Sequence, residues 1–130
     1  MAKEAAKKMT PPMHDDIQSA RRVLNEEAKA LSALAESIGQ PFADAIDIIH
    51  TRKASAQSAA HGRLIVAGIG KSGHVARKIA ATLASTGTPS FFVHPGEASH
   101  GDMGMVTQDD VVLMLSNSGE NPELSDLIHY

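Results

Sequence analysis

Apolar residues recur near the start of the chain at steps of three and four: Ile17, Ala20, Leu24, Ala28, Leu31, Leu34 and Ile38. That period puts them on one stripe of a helix. The acidic pair Asp15-Asp16 suits the positive end of a helix dipole, so the helix is expected to begin there, after a flexible, slightly basic leader over residues 1–14. Gly39 stops it, and Pro41 can open a second helix carrying Phe42, Ala45, Ile46, Ile49, Ala56 and Ala60 on one face and ending at Gly62. The pair predicts an αα-hairpin that packs against the rest of the domain or serves subunit contact.

Beyond Gly62 the period changes. Residues 64–69 form an unbroken apolar run, the mark of a strand buried on both faces. Gly70-Lys71-Ser72-Gly73 follows, then a helix expected to turn Val75, Ala76, Ile79, Ala80 and Leu83 inward and to close at Gly87. Residues 90–93 predict a second strand, a long loop runs from His94 to Asp110, and residues 111–115 predict a third strand. After Ser116-Asn117-Ser118-Gly119-Glu120, Asn121 is expected to cap a last helix, with Pro122 at its first position and Glu123 complementing its dipole. Strands alternating with helices predict an α/β fold with a parallel sheet. Three strands are few for a sheet covered on both faces, so residues 15–130 read as the N-terminal part of a longer domain, truncated after the third strand.

Composition narrows the function classes. Aromatic residues make up 3% of the chain, too few for the stacking platforms of single-strand nucleic-acid binding, and the core must be aliphatic and Ala-rich. A net charge of −3 with no basic stripe argues against a nucleic-acid partner. The absence of cysteine excludes disulfides and thiolate metal sites. No apolar run approaches the roughly 18 residues of a membrane span, and the leader lacks the apolar core of a secretory signal, so a cytoplasmic protein without a membrane partner is expected.

Ligands of open α/β sheets bind at the carboxyl ends of the strands, and two loops there have the right character. Gly68-Ile69-Gly70-Lys71-Ser72-Gly73 fits the dinucleotide pattern formally, but the second strand ends Val93-His94-Pro95 with no acid to hold a ribose. It is not a Walker A loop, because Ile65 stands where that motif needs glycine. What remains is an anion site of Gly70, Ser72 and Gly73, with Lys71 able to neutralise charge on a sugar oxygen. Ser116-Asn117-Ser118-Gly119 offers hydroxyls, an amide and backbone N–H groups before a helix, which suits a phosphate group. Between these loops, residues 94–102 hold two histidines, His94 and His100, and two acids, Glu97 and Asp102. Their spacing matches no standard metal pattern, so hydrogen bonding to a polyhydroxy substrate is favoured over a metal at His100, and no cofactor is expected.

The stretches Gly68–His74, Ser85–Ala98, His100-Gly101-Asp102 and Ser116–Glu120 resemble the SIS-domain sugar-phosphate isomerases, and among them most closely the arabinose-5-phosphate isomerases, over roughly residues 62–130. The resemblance implies a flavodoxin-like sheet in a homotetramer. It also implies interconversion of D-arabinose 5-phosphate and D-ribulose 5-phosphate, an intramolecular oxidoreduction that supplies Kdo for lipopolysaccharide. It maps active-site roles onto Lys71, Glu123 and His100. An enediol route would use Glu123 as base, Lys71 to stabilise the enediolate, and Ser72, Glu97, Ser116, Asn117, Ser118, Gly119 and Asn121 to hold phosphate or hydroxyls. Asn121 stands where the family commonly has Ser or Thr; its amide can still donate. The family's later catalytic residues and paired CBS domains fall beyond Tyr130, so the 130 residues alone are expected to be inactive. The rival reading is a non-catalytic sugar-phosphate sensor.

Overall fold

The computed structural model describes residues 13–54 and 62–130, and two compact units divide the chain at residue 42. The first unit holds helix α1, Met13–Ser37. It takes in Met13 and His14, expected in the leader; residues 1–12 lie outside the described residues. Asp15 and Asp16 sit in its first turn as expected. The apolar stripe is exposed, Leu24 and Leu31 at 65% and 67%. The chain passes Gly39 into helix α2, Gln40–Ala54; residues 55–61, with Ala56, Ala60 and the expected approach to Gly62, lie outside the described residues.

The second unit is built on three parallel strands: β1, Leu64–Gly68, β2, Ser90–Val93, and β3, Val111–Leu115. Their order is β2-β1-β3, with Leu64 level with Ser90 on one side and with Val111 on the other. All five residues of the central strand are buried. Because strand side chains alternate between faces, β1 divides the core. Ile65 and Ala67 join Val93, Ala98, Leu124 and Leu127 on one face, while Leu64 and Val66 join Ala76 and Ala80 on the other.

Helix α3, Gly70–Ser85, lies on that second face, with Ile49 of α2 packed against the same cluster. Its buried residues are Gly73, Ala76 and Ala80, spaced for one stripe of small side chains. Val75, expected inward, is 53% exposed, because it lies about 100° around the helix from Ala76 and the stripe is complete without it. The close approach begins at the first turn: a Cβ on Gly73 would stand 2.7 Å from the Gly68 carbonyl oxygen. Gly70 adopts a φ of +57°, which glycine adopts without steric cost.

The segment expected as a long loop is partly helical. Helix α4, Pro95–Ala98, and a 3-10 turn, Asp102–Met105, interrupt it, because Pro95 and Ala98 are buried and hold the backbone down. His94 caps α4, its Nδ1 accepting the Gly96 N–H at 3.2 Å. Helix α5, Pro122–His129, covers the first face through Leu124 and Leu127.

At the amino edge of the sheet a charged clasp joins β1 to β3. Arg63 donates from its backbone N–H and Nε to Asp110 Oδ1 at 2.9 and 3.0 Å, and from a terminal nitrogen to Oδ2 at 2.7 Å. The Thr107 N–H also donates to Oδ2, at 2.9 Å, and the Arg63 guanidinium reaches the Met105 carbonyl at 2.7 Å. Burial raises the pKa of the Asp110 carboxyl, but the bonds from Arg63 and Thr107 outweigh it and bring the pKa down to about 2. Asp110 is 1% exposed at its side chain, so the pair keeps much of its Coulomb attraction.

Candidate active site

The carboxyl ends of the three strands carry the loops singled out by sequence. After β1, the turn into α3 places Gly70 and Lys71 on the surface, Ser72 half-buried and Gly73 buried. Gly68 and Gly73 let β1 and α3 touch on either side of this turn, which carries Lys71 and Ser72.

After β3, the loop closes on itself through its own side chains. Ser116 Oγ accepts the Gly119 N–H at 2.9 Å, and Ser118 Oγ accepts the Glu120 N–H at 3.3 Å. Gly119 turns the chain at a φ of +74°. Asn121 occupies the cap position of α5 in backbone terms, but its side chain makes no capping bond; Oδ1 instead accepts the Ser118 hydroxyl at 3.3 Å. Pro122 takes a first-turn position as expected, and Glu123 follows it in that turn.

Beside this loop lies an open cavity of about 540 Å³, lined by Ser116, Gly119, Glu120 and Asn121 on its polar side and by Met114, Leu124 and Ile128 on its apolar side. Its size is in the range of small-molecule sites. Ser116, Gly119 and Asn121 are thus brought together. Lys71, Glu123 and His100 do not line it.

His100 is exposed in the turn after α4, its backbone N–H bonded to the Glu97 carbonyl at 3.0 Å. The neighbouring Ser99 Oγ donates to Asp126 Oδ2 at 2.8 Å, which ties the turn carrying His100 to the helix carrying Glu123. Glu97 is exposed in α4. Among the described residues no three His, Asp or Glu side chains are grouped to hold a metal ion, so His94, Glu97, His100 and Asp102 do not converge.

Sequence reasoning placed Gly70 and Gly73 in an anion site but missed the smaller cavity, about 180 Å³, that they help to line at the ends of β1 and β2. Gly70, Gly73, His74, Arg77, Phe92 and His94 line it. The available signal was the spacing of His74 and Arg77, three apart on one helix face, beside a strand ending in Phe92-Val93-His94.

Residues 58–130 match the SIS domain family. An arabinose 5-phosphate isomerase KdsD of Pseudomonas aeruginosa is 55% identical over 114 residues, 88% of this chain and 32% of its own length. The enzyme of the same name from Yersinia pestis is 50% identical over 117 residues, 90% of this chain and 33% of its own length. This chain therefore spans about a third of the curated relatives it matches. Among solved structures, an Escherichia coli CFT073 protein in complex with A5P superposes with a TM-score of 0.68 at 45% identity, over 91% of this chain and 57% of that one. With its β2-β1-β3 parallel sheet, its glycine-turned loop after β1 and its serine loop after β3, this chain belongs to the SIS domain family.

Proposed function

We propose that the chain forms the sugar-phosphate-binding part of an aldose–ketose isomerase that interconverts D-arabinose 5-phosphate and D-ribulose 5-phosphate. The observation that carries this reading is the cavity beside the Ser116–Gly119 loop at the carboxyl end of β3, polar on the loop side and followed at once by the first turn of α5. The names of the Pseudomonas and Yersinia relatives and the A5P held by the Escherichia coli neighbour support it.

In this reading the phosphate takes the place of the loop's own hydroxyls. Ser116 and Ser118 turn from the Gly119 and Glu120 N–H groups toward the ligand, and those N–H groups become donors to its oxygens. Asn117, Asn121 and Ser72 hold further phosphate or hydroxyl oxygens. Glu123 takes the proton from C2 of the aldose, the C1 carbonyl oxygen receives the electron pair, and the enediolate charge faces Lys71. A proton passes from O2 to O1, the proton taken by Glu123 returns to C1, and C2 becomes the carbonyl, so atoms balance without a cofactor. Glu97 and His100 serve the sugar hydroxyls. The finer reading is a cytoplasmic homotetramer whose arabinose 5-phosphate feeds Kdo and lipopolysaccharide synthesis.

The test follows arabinose 5-phosphate conversion to ketose by the full-length protein and its Lys71→Ala variant. Loss of one electrostatic stabiliser is expected to lower kcat by about 10²–10³-fold with KM little changed. Tight sugar-phosphate binding without turnover in the parent would reject the isomerase in favour of a sensor.

A further inference from the structure

The small cavity at the ends of β1 and β2 is a concentration of nitrogen donors. Of its six lining residues, three carry side-chain N–H groups, His74, Arg77 and His94, and none carries a carboxylate. The Arg77 guanidinium lies 4.0 Å from the centroid of the Phe92 ring. It makes no ion pair among the described residues, so one side of the guanidinium rests on the aromatic face while its N–H donors stay available. His94 is fixed as well. Its Nδ1 accepts the Gly96 N–H, which in the neutral ring assigns the proton to Nε2 and makes that nitrogen a donor. Its ring centroid also lies 6.4 Å from that of Phe92, with the two planes at 67°.

Phe92 therefore acts as a wall shared by two donors that line one small space, and His74 supplies a third from the second turn of α3. A stacked guanidinium with a free fork and two imidazoles, unopposed by any acid, is a donor set for a planar or tetrahedral oxyanion. We propose that this cavity binds the phosphate group of a ligand, at a site separate from the Ser116–Gly119 loop. The two cavities share no lining residue and lie on different strand ends, β1 and β2 against β3. A volume of about 180 Å³ admits one phosphate group. The group comes either from free phosphate or from the far end of a doubly phosphorylated sugar.

The experiment titrates the chain with inorganic phosphate and, separately, with ribulose 1,5-bisphosphate, following the imidazole signals of His74 and His94 by NMR. Saturable shifts of both rings are expected, with phosphate affinity at least about tenfold weaker in Arg77→Met and intermediate in Arg77→Lys. Ser116→Ala is expected to leave these shifts in place, which separates this site from the β3 loop. Bisphosphate binding well above phosphate, and falling to the phosphate level in Arg77→Met, identifies the far end of one ligand. Equal affinities identify free phosphate. If Arg77→Met loses its far-UV circular dichroism, Arg77→Lys and His94→Gln carry the comparison. Shifts that never saturate, wild-type affinity in the variants, or loss of the shifts in Ser116→Ala would overturn the proposal.

Discussion

Replacing Asp110 by Asn removes the charge from the clasp at the amino edge of the sheet while keeping its shape. The carboxyl has its pKa lowered from 3.8 to about 2 in the folded chain, and each unit corresponds to about 1.4 kcal/mol, so the ionised form contributes about 2 kcal/mol. Asn retains one acceptor for Arg63 but turns an amide toward the donors of Arg63 and Thr107, so the loss should reach that figure. The sign follows from the depressed pKa. The contribution is complete above the unfolded value near 3.8 and fades as pH falls from there to about 2. Urea unfolding of the parent and of Asp110→Asn should therefore differ by about 2 kcal/mol at pH 7, and the two curves should converge as pH approaches 2. A gap below about 0.5 kcal/mol at pH 7 would refute the ledger. A gap that persists unchanged to pH 2 would refute its electrostatic origin and leave packing as the cause.

Gly73→Ala should cost about 1–3 kcal/mol, because the new methyl would meet the Gly68 carbonyl oxygen at 2.7 Å and backbone cannot swing aside; thermal melting checks it, and an unchanged Tm would contradict the contact. Ile65→Ala empties the centre of the face beneath α5, where Ile65 is fully buried, and should cost about 2–5 kcal/mol by urea unfolding; a loss under 1 kcal/mol would mean that Leu124 and Leu127 collapse into the gap.

The strands were legible because burial leaves a plain record: a run apolar on both faces for β1, and the observed bounds of β2 and β3 at residues 90–93 and 111–115. The turns after β1 and β3 were legible through glycine and serine, residue types whose backbone and side-chain chemistry is local. Features that depend on distant partners were not. The fold of residues 94–105 rests on the burial of Pro95 and Ala98, which no local period records. Asn121 reads as a cap, yet its side chain answers Ser118 instead. The cavity between His74, Arg77 and His94 needs Phe92 from another strand to form its wall, so it exists only in three dimensions. The stripe of α1 shows the opposite limit: its period announces an apolar face, and nothing in that period says what the face meets.

The Arg63–Asp110 clasp sits at the end of the sheet opposite to the turns after β1 and β3. In the proposed function, anchorage and recognition fall at different ends of the same three strands. A substitution in the Ser116–Gly119 loop would then alter what is held without loosening the strands that hold it, and a change in the clasp would shift durability without rewriting specificity. Such a separation widens the set of sequences that can drift toward a new substrate while still folding, which gives the scaffold room to evolve.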